Sequence, residues 1–230
     1  DHPSVPMPGA HHHPSLPLLI LLALLLSLLT LPARAALVLH DDSQPVALLG
    51  QVDYLADPTG ELQLPALLAS TERFHSSTGR RDLSFGYVQG AIWLRLQVES
   101  AASQARDWRL EIDYPSLDRV DLYDVGADGV RHSQGGDMLP FAGRSVGNRN
   151  PVSDRHLQPG ERRPLYLRAS SEGSMTLGGS LYPRAAHEQH SIQGYVVQAL
   201  YGGTLIALGC YNLLLFLALR ERPFLYYVLF

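Results

Sequence analysis

The chain has 230 residues and a formal net charge of -4, and its 18 basic residues, all of them Arg, are scattered among 22 acidic ones. That balance excludes a nucleic-acid binder, because phosphate neutralisation needs clustered positive charge. The average composition of 46% hydrophobic and 17% charged residues hides two apolar blocks at opposite ends, with about one domain's length of ordinary globular sequence between them.

The first block, Leu16 to Leu31, precedes Pro32 and the small-x-small run Ala33-Arg34-Ala35. Residues 1–35 therefore read as a secretory signal peptide, with a mature chain beginning at Ala36. No Lys or Arg precedes Arg34; Met7 is a candidate initiator, and His11, His12 and His13 offer partial charge instead. An uncleaved amino-terminal anchor is the competing reading.

From Leu37 the patterning has period two more often than 3.6, and turn residues recur regularly. A short helix is predicted over Leu64 to Phe74, with Leu64, Leu67 and Leu68 as its apolar positions. Strands are predicted at Ile92–Val98, Trp108–Asp113, Val120–Val125, Val130–His132, Pro164–Ala169 and Met175–Tyr182. Gly126-Ala127-Asp128-Gly129, Gly135-Gly136-Asp137 and Gln158-Pro159-Gly160-Glu161 supply turns between them. Short strands with one apolar face each must bury those faces together, so residues 36–190 are expected to form an all-β sandwich of jelly-roll type, with a barrel as the alternative. The only cysteine, Cys210, lies in the second apolar block, so this domain makes no disulfide.

Trp108 is in phase with Leu110 and Ile112 and is assigned to the core. Glu111 and Asp113 share the opposite face and read as solvated acids; nothing marks one of them as the proton donor of a glycosidase pair. His187-Glu188-Gln189-His190 spaces two imidazoles three residues apart with no third ligand, so a solvated juxtamembrane helix is expected there and no metal site. There is no phosphate-cradling loop, cysteine cluster or Ser-His-Asp signature, so neither a cofactor nor an enzymatic activity is expected of this stretch.

The second block, residues 195–219, is about 25 residues without a charge, enough at 1.5 Å per residue to cross a bilayer with some tilt. Arg220 and Arg222 follow it, placing that end in the cytoplasm and the β domain outside. After Pro223, residues 223–230 are apolar and aromatic, as at the start of a second span. Gly202, Gly203, Ala207 and Gly209 permit close helix contact, and Asn212 is a polar group inside the span; both point to partner helices.

A family pattern emerges from these residues in order. The run Trp93-Leu94-Arg95-Leu96, then Trp108, then Ile112-Asp113-Tyr114-Pro115-Ser116-Leu117-Asp118-Arg119-Val120-Asp121-Leu122-Tyr123, resembles the type 2 extracellular domain of seven-transmembrane receptors with diverse intracellular signalling modules. The likeness continues through Gly135-Gly136-Asp137, Pro140-Phe141, Arg144, Leu165-Tyr166-Leu167-Arg168 and Ser170-Ser171. Tyr211 to Phe216 and Arg220 to Tyr227 resemble the start of that family's seven-helix region. The resemblance implies a periplasmic sensor similar to carbohydrate-binding modules, held in the bacterial inner membrane and joined to a cytoplasmic histidine kinase or diguanylate cyclase. Gly135-Gly136-Asp137 continues as Met138-Leu139 and is a turn, not the cyclase signature.

Sugar recognition needs flat aromatic faces and planar polar groups on one exposed surface. Strand phase sets Trp93 and Arg95, Asp121 and Tyr123, and Tyr166 and Arg168 opposite the core residues; with Arg144 they form the expected ligand set. The competing reading is that the aromatic residues cover the second sheet face, and that Arg144 and Arg168 pin loops through carbonyls. The expected partners are a carbohydrate or cell-envelope ligand, membrane lipid, further helices of the same receptor and a second copy in a homodimer. An interaction or dimerisation module without a small ligand is the alternative function.

Overall fold

The computed structural model describes residues 36–71 and 73–229. The expected signal peptide and its cleavage site lie outside the described residues. Among those residues the strands are β1 (Leu37–Leu39), β2 (Val46–Ala47), β3 (Asp53–Asp57), β4 (His75–Ser76), β5 (Ser84–Tyr87), β6 (Ala91–Ser100) and β7 (Arg106–Ile112). They continue as β8 (Arg119–Gly126), β9 (Gly129–Gly135), β10 (Val152–Leu157), β11 (Arg162–Ser170), β12 (Ser174–Thr176) and β13 (Gly179–Pro183). Helix α1 (Leu64–Ala69) lies between β3 and β4, and α2 (Arg184–Leu219) and α3 (Arg222–Leu229) follow β13.

The larger sheet has the order β4-β3-β6-β11-β8-β9, with β1 parallel to the end of β6. The smaller runs β10-β7-β13-β2, and β5 pairs with β12 in a separate ribbon. The two sheets face each other because alternate residues of each are apolar: Ile92, Leu94, Leu96 and Val98 of β6 and Trp108, Leu110 and Ile112 of β7 meet in one buried core. Trp108 is fully buried there, as its phase requires. The fold is thus the expected β-sandwich, followed by a long apolar helix.

The outer face of the larger sheet is covered as well. Leu64 and Leu67 of α1 pack with Leu55 over the fully buried Trp93, forming a second apolar cluster flanked by Phe74, Tyr123 and Tyr166. The predicted helix runs on to Phe74; the observed one stops at Ala69, because Ser70 is extended and its hydroxyl donates to the Leu67 carbonyl at 2.9 Å. The single strand expected over Met175–Tyr182 is two, interrupted at Leu177 and Gly178. At Gly179 the chain presses onto the Glu111 carbonyl so closely that only a residue without Cβ fits. Gly90 is under the same constraint at positive φ, against the backbone of Asp57 and Pro58.

Helix α2 starts at Arg184, on the sandwich, and not at Tyr195 where the continuous apolar run begins. It ends at Arg220, whose left-handed backbone (φ 57°) donates N–H to the Phe216 carbonyl at 2.7 Å. Inside the apolar run Asn212 Nδ2 donates to the Leu208 carbonyl of its own helix at 2.9 Å.

Removing the indole of Trp93 empties the second cluster. Trp93→Ala is expected to destabilise the fold by about 3–5 kcal/mol, measured by urea unfolding in detergent followed by circular dichroism. An unchanged midpoint would contradict the buried position.

Candidate functional site

The expected ligand residues fall into two transverse rows on the outer face of the larger sheet. Strand register aligns Leu55, Trp93, Arg168, Asp121 and Gln134 in one row. Asp53, Arg95, Tyr166, Tyr123 and His132 make the next. Phase reasoning therefore brings six of the seven residues together, but not onto an open platform. Trp93 lies beneath α1 and stacks on Tyr123 at 5.7 Å between centroids, and Tyr123 stacks in turn on His132 at 4.5 Å. The expectation that Trp93 offers a face to a ligand is corrected by this burial.

Asp121 is also buried, at the hub of a polar network. Arg119 Nε, Gln134 Nε2 and His132 Nε2 lie 2.9, 2.8 and 2.9 Å from its oxygens, and Arg168 Nη1 lies 3.8 Å away. Burial works against its charge, but the bonds from Arg119, Gln134 and His132 and the Arg119 charge outweigh it and hold its carboxyl below the ordinary value. Arg168 donates to the Gly60 carbonyl at 2.6 Å, tying α1's leading loop to the sheet. Arg95 remains 42% exposed, paired with Asp53 at 3.1 Å and lying 4.4 Å over the Phe74 ring. Tyr166 is half-buried beside it. Arg144 stands apart, in the loop between β9 and β10, and donates to the carbonyls of Asn148, Arg149 and Gly136.

The arrangement least visible in the sequence lies on the outer face of the smaller sheet, where α2 docks. Glu111 is only 3% exposed, so the reading of it as a solvated acid is corrected. Its Oε1 accepts from Asn150 Nδ2 at 2.6 Å, and its Oε2 faces His187 Nε2 at 3.1 Å. Arg109 Nη1 lies 3.3 Å from His187 Nδ1. A guanidinium only donates, so Nδ1 is the acceptor and the imidazole proton sits on Nε2, toward Glu111. Arg109 also pairs with Asp154 at 2.8 Å and Glu188 at 3.4 Å. Tyr182 stacks on His190 at 5.4 Å, and Asn148 Nδ2 donates to Ser191 Oγ at 3.2 Å.

His187, Ser191, Tyr195 and Gln198 recur at helical spacing and form the stripe of α2 that faces the sandwich. The solvated juxtamembrane helix expected at His187–His190 is thus a docked one, with His187 fully buried. The pairing signal was present as a charged residue at every second position of β7, but the sequence does not say which helix covers it. Among the described residues no group of three or more His, Cys, Asp or Glu is placed to hold a metal ion.

Burial raises the tendency of Glu111 to protonate, but the His187 and Asn150 side chains bonded to it prevail, and its carboxyl is held below the ordinary value. A depressed carboxylate stabilises the fold above its unfolded value and loses that contribution as pH falls through the folded one. Wild-type stability should therefore decline on acidification through and below the ordinary carboxylate range. Glu111→Gln should cost about 3 kcal/mol at neutral pH and flatten that decline. Equilibrium unfolding of both proteins between neutral and acid pH checks this, and parallel curves would contradict the pairing.

A family model described as 7TMR-DISM extracellular 2 matches residues 49–182, from just before β3 to within β13. No curated protein matches. Among solved structures, the Podospora anserina GH26-CBM35 beta-(1,4)-mannanase aligns over 61% of this chain and 28% of its own, at 13% identity and a TM-score of 0.28. The family is an extracellular, sensor-type domain and not a catalytic one, and with α2 attached the protein is membrane-anchored with that domain outside. Since the match takes in more than half of the sequence and nearly all of the sandwich, the chain belongs to the 7TMR-DISM extracellular 2 family.

Proposed function

We propose that this chain is the ligand-sensing portion of a multi-pass signalling receptor of the bacterial inner membrane, with the sandwich in the periplasm and a histidine kinase or diguanylate cyclase as its cytoplasmic output. One observation carries the reading: α2 begins inside the hydrogen-bond network of the sandwich, through Arg109, Glu111 and His187, and continues unbroken into the apolar span. A change in the sheet reaches the span through packed, paired side chains and not through a loose linker. Such a signal requires that the ligand prefer one of two helix arrangements, since equal affinity for both shifts nothing.

The ligand class is a carbohydrate or cell-envelope fragment, met by the accessible parts of Arg95, Tyr166 and Tyr123. Asp121, Trp93 and Arg168 lie beneath and hold those groups in place. Two measurements on the full-length receptor test this. Arg95→Ala with Tyr166→Ala should weaken glycan binding about tenfold or more, the loss of a central contact pair; unchanged affinity removes this surface. A flexible Gly-Ser insertion between Ile192 and Gln193 should preserve binding and abolish the ligand response, and an undiminished response counts against transmission through α2.

A further inference from the structure

One end of the sandwich is distinguished by what its loops expose. Register places Ile112 beside Gly179, Glu111 beside Val152, and Val120 beside both Gly135 and Ala169. The segments 88–90, 113–118, 136–151 and 171–173 therefore all leave the fold at this end. Helix α2 starts at the other end, since Pro183 pairs with Trp108, and runs back along β7. It meets the 136–151 loop at Ser191, and a small cavity there is lined by Asn148, Arg149, Gly194, Tyr195 and Gln198. Tyr195 is also where the continuous apolar run begins. The 136–151 loop thus reaches the helix at the point where it becomes apolar.

Among the described residues of the sandwich, the three most exposed large apolar side chains are all at this end: Tyr87 at 85%, Met138 at 77% and Phe141 at 61%, against 50% for the next, Val130. They are not trailing ends. Phe141 sits in a 3-10 turn beneath the Arg144 guanidinium, 5.3 Å from the ring, and Arg144 is fixed by three carbonyls. The Met138 amide donates to the Asp118 carbonyl, and Asp118 lines a shallow basin with Tyr87. A braced loop gives up little conformational freedom on contact. The charges around it, Asp113, Asp118, Asp137 and Glu172 against Arg119, Arg144 and Arg149, are mixed, so nothing here selects an anionic surface.

We infer that this end of the domain is seated on the outer face of the bilayer, with Phe141 and Met138 inserted at the boundary between headgroups and acyl chains and Tyr87 at headgroup level. Aromatic side chains favour that boundary, and the neighbouring span already fixes the domain against it. The inference rests on α2 crossing the membrane, and its test separates the two.

The whole chain is reconstituted in phosphatidylcholine vesicles containing headgroup-proximal and acyl-chain nitroxide lipids. An environment-sensitive fluorophore is attached to native Cys210 or, in a Cys210→Ser background, to Met138→Cys, Phe141→Cys or Val130→Cys, the last lying on the hairpin at the opposite end. Quenching by lipid should be about twofold or more greater at 138 and 141 than at 130, and should persist when phosphatidylglycerol replaces part of the phosphatidylcholine. Equal quenching at all three sites, with Cys210 quenched, overturns the seat while leaving the span intact. A blue-shifted but unquenched label at 141 overturns it in favour of a protein surface, and an unquenched Cys210 overturns span and seat together.

Discussion

A carboxylate withdrawn from water has to be paired, and the network that holds Glu111 comes from three separate pieces of chain. Asn150 belongs to the loop before β10, His187 to the second turn of α2, and Arg109, which fixes the imidazole, to β7 itself. Sliding the docked helix by a turn would leave a buried charge unpaired, at a cost of several kcal/mol, whereas an apolar contact could slide at far less. Directional pairing of this kind sets one register between sandwich and helix. That register is what allows the Tyr182 and His190 rings to stack and Asn148 to reach Ser191.

The larger sheet is buried on one face against the smaller sheet and is covered on the other by α1 around Trp93. This explains why a surface rich in Trp, Tyr and Arg is mostly closed. Trp93 fills the space under Leu64 and Leu67, and Asp121 is enclosed by its three hydrogen-bonding neighbours. The aromatic rows therefore have a structural role first, and only their rim, around Arg95 and Tyr166, stays accessible to another molecule.

Alternation made the centre of the fold readable. From Leu94 to Glu99 in β6 and from Asp107 to Ile112 in β7 apolar and polar residues exchange at every step, so their inner faces, including Trp108, follow from phase alone. The same logic fails for β10, where the inward-facing residues are Ser153, Arg155 and Leu157: two of the three are polar, and the alternation inverts. Ser153 meets Ser133 across the sheet edges at 2.6 Å, a contact that no hydropathy pattern announces. Strand β3 was hidden because Asp53 and Asp57 bracket it and read as loop, although Asp57 accepts the Gly60 and Leu62 amides and the Thr59 hydroxyl that start the turn into α1. His187 was misread for a related reason. Local sequence shows a polar helix start, and only tertiary register reveals that one of its imidazoles faces a carboxylate from 76 positions earlier in the chain.

The uninterrupted length of α2 has a mechanical consequence. A rod held through its first two or three turns, with no proline along its course, behaves as a lever whose fulcrum is the sandwich wall. Beyond that fulcrum the arm from Tyr195 to Leu219 is about 37 Å long, so a rocking of roughly 5° at the wall sweeps the far tip sideways by about 3 Å. The abrupt left-handed stop at Arg220 hands that sweep directly to the segment that follows.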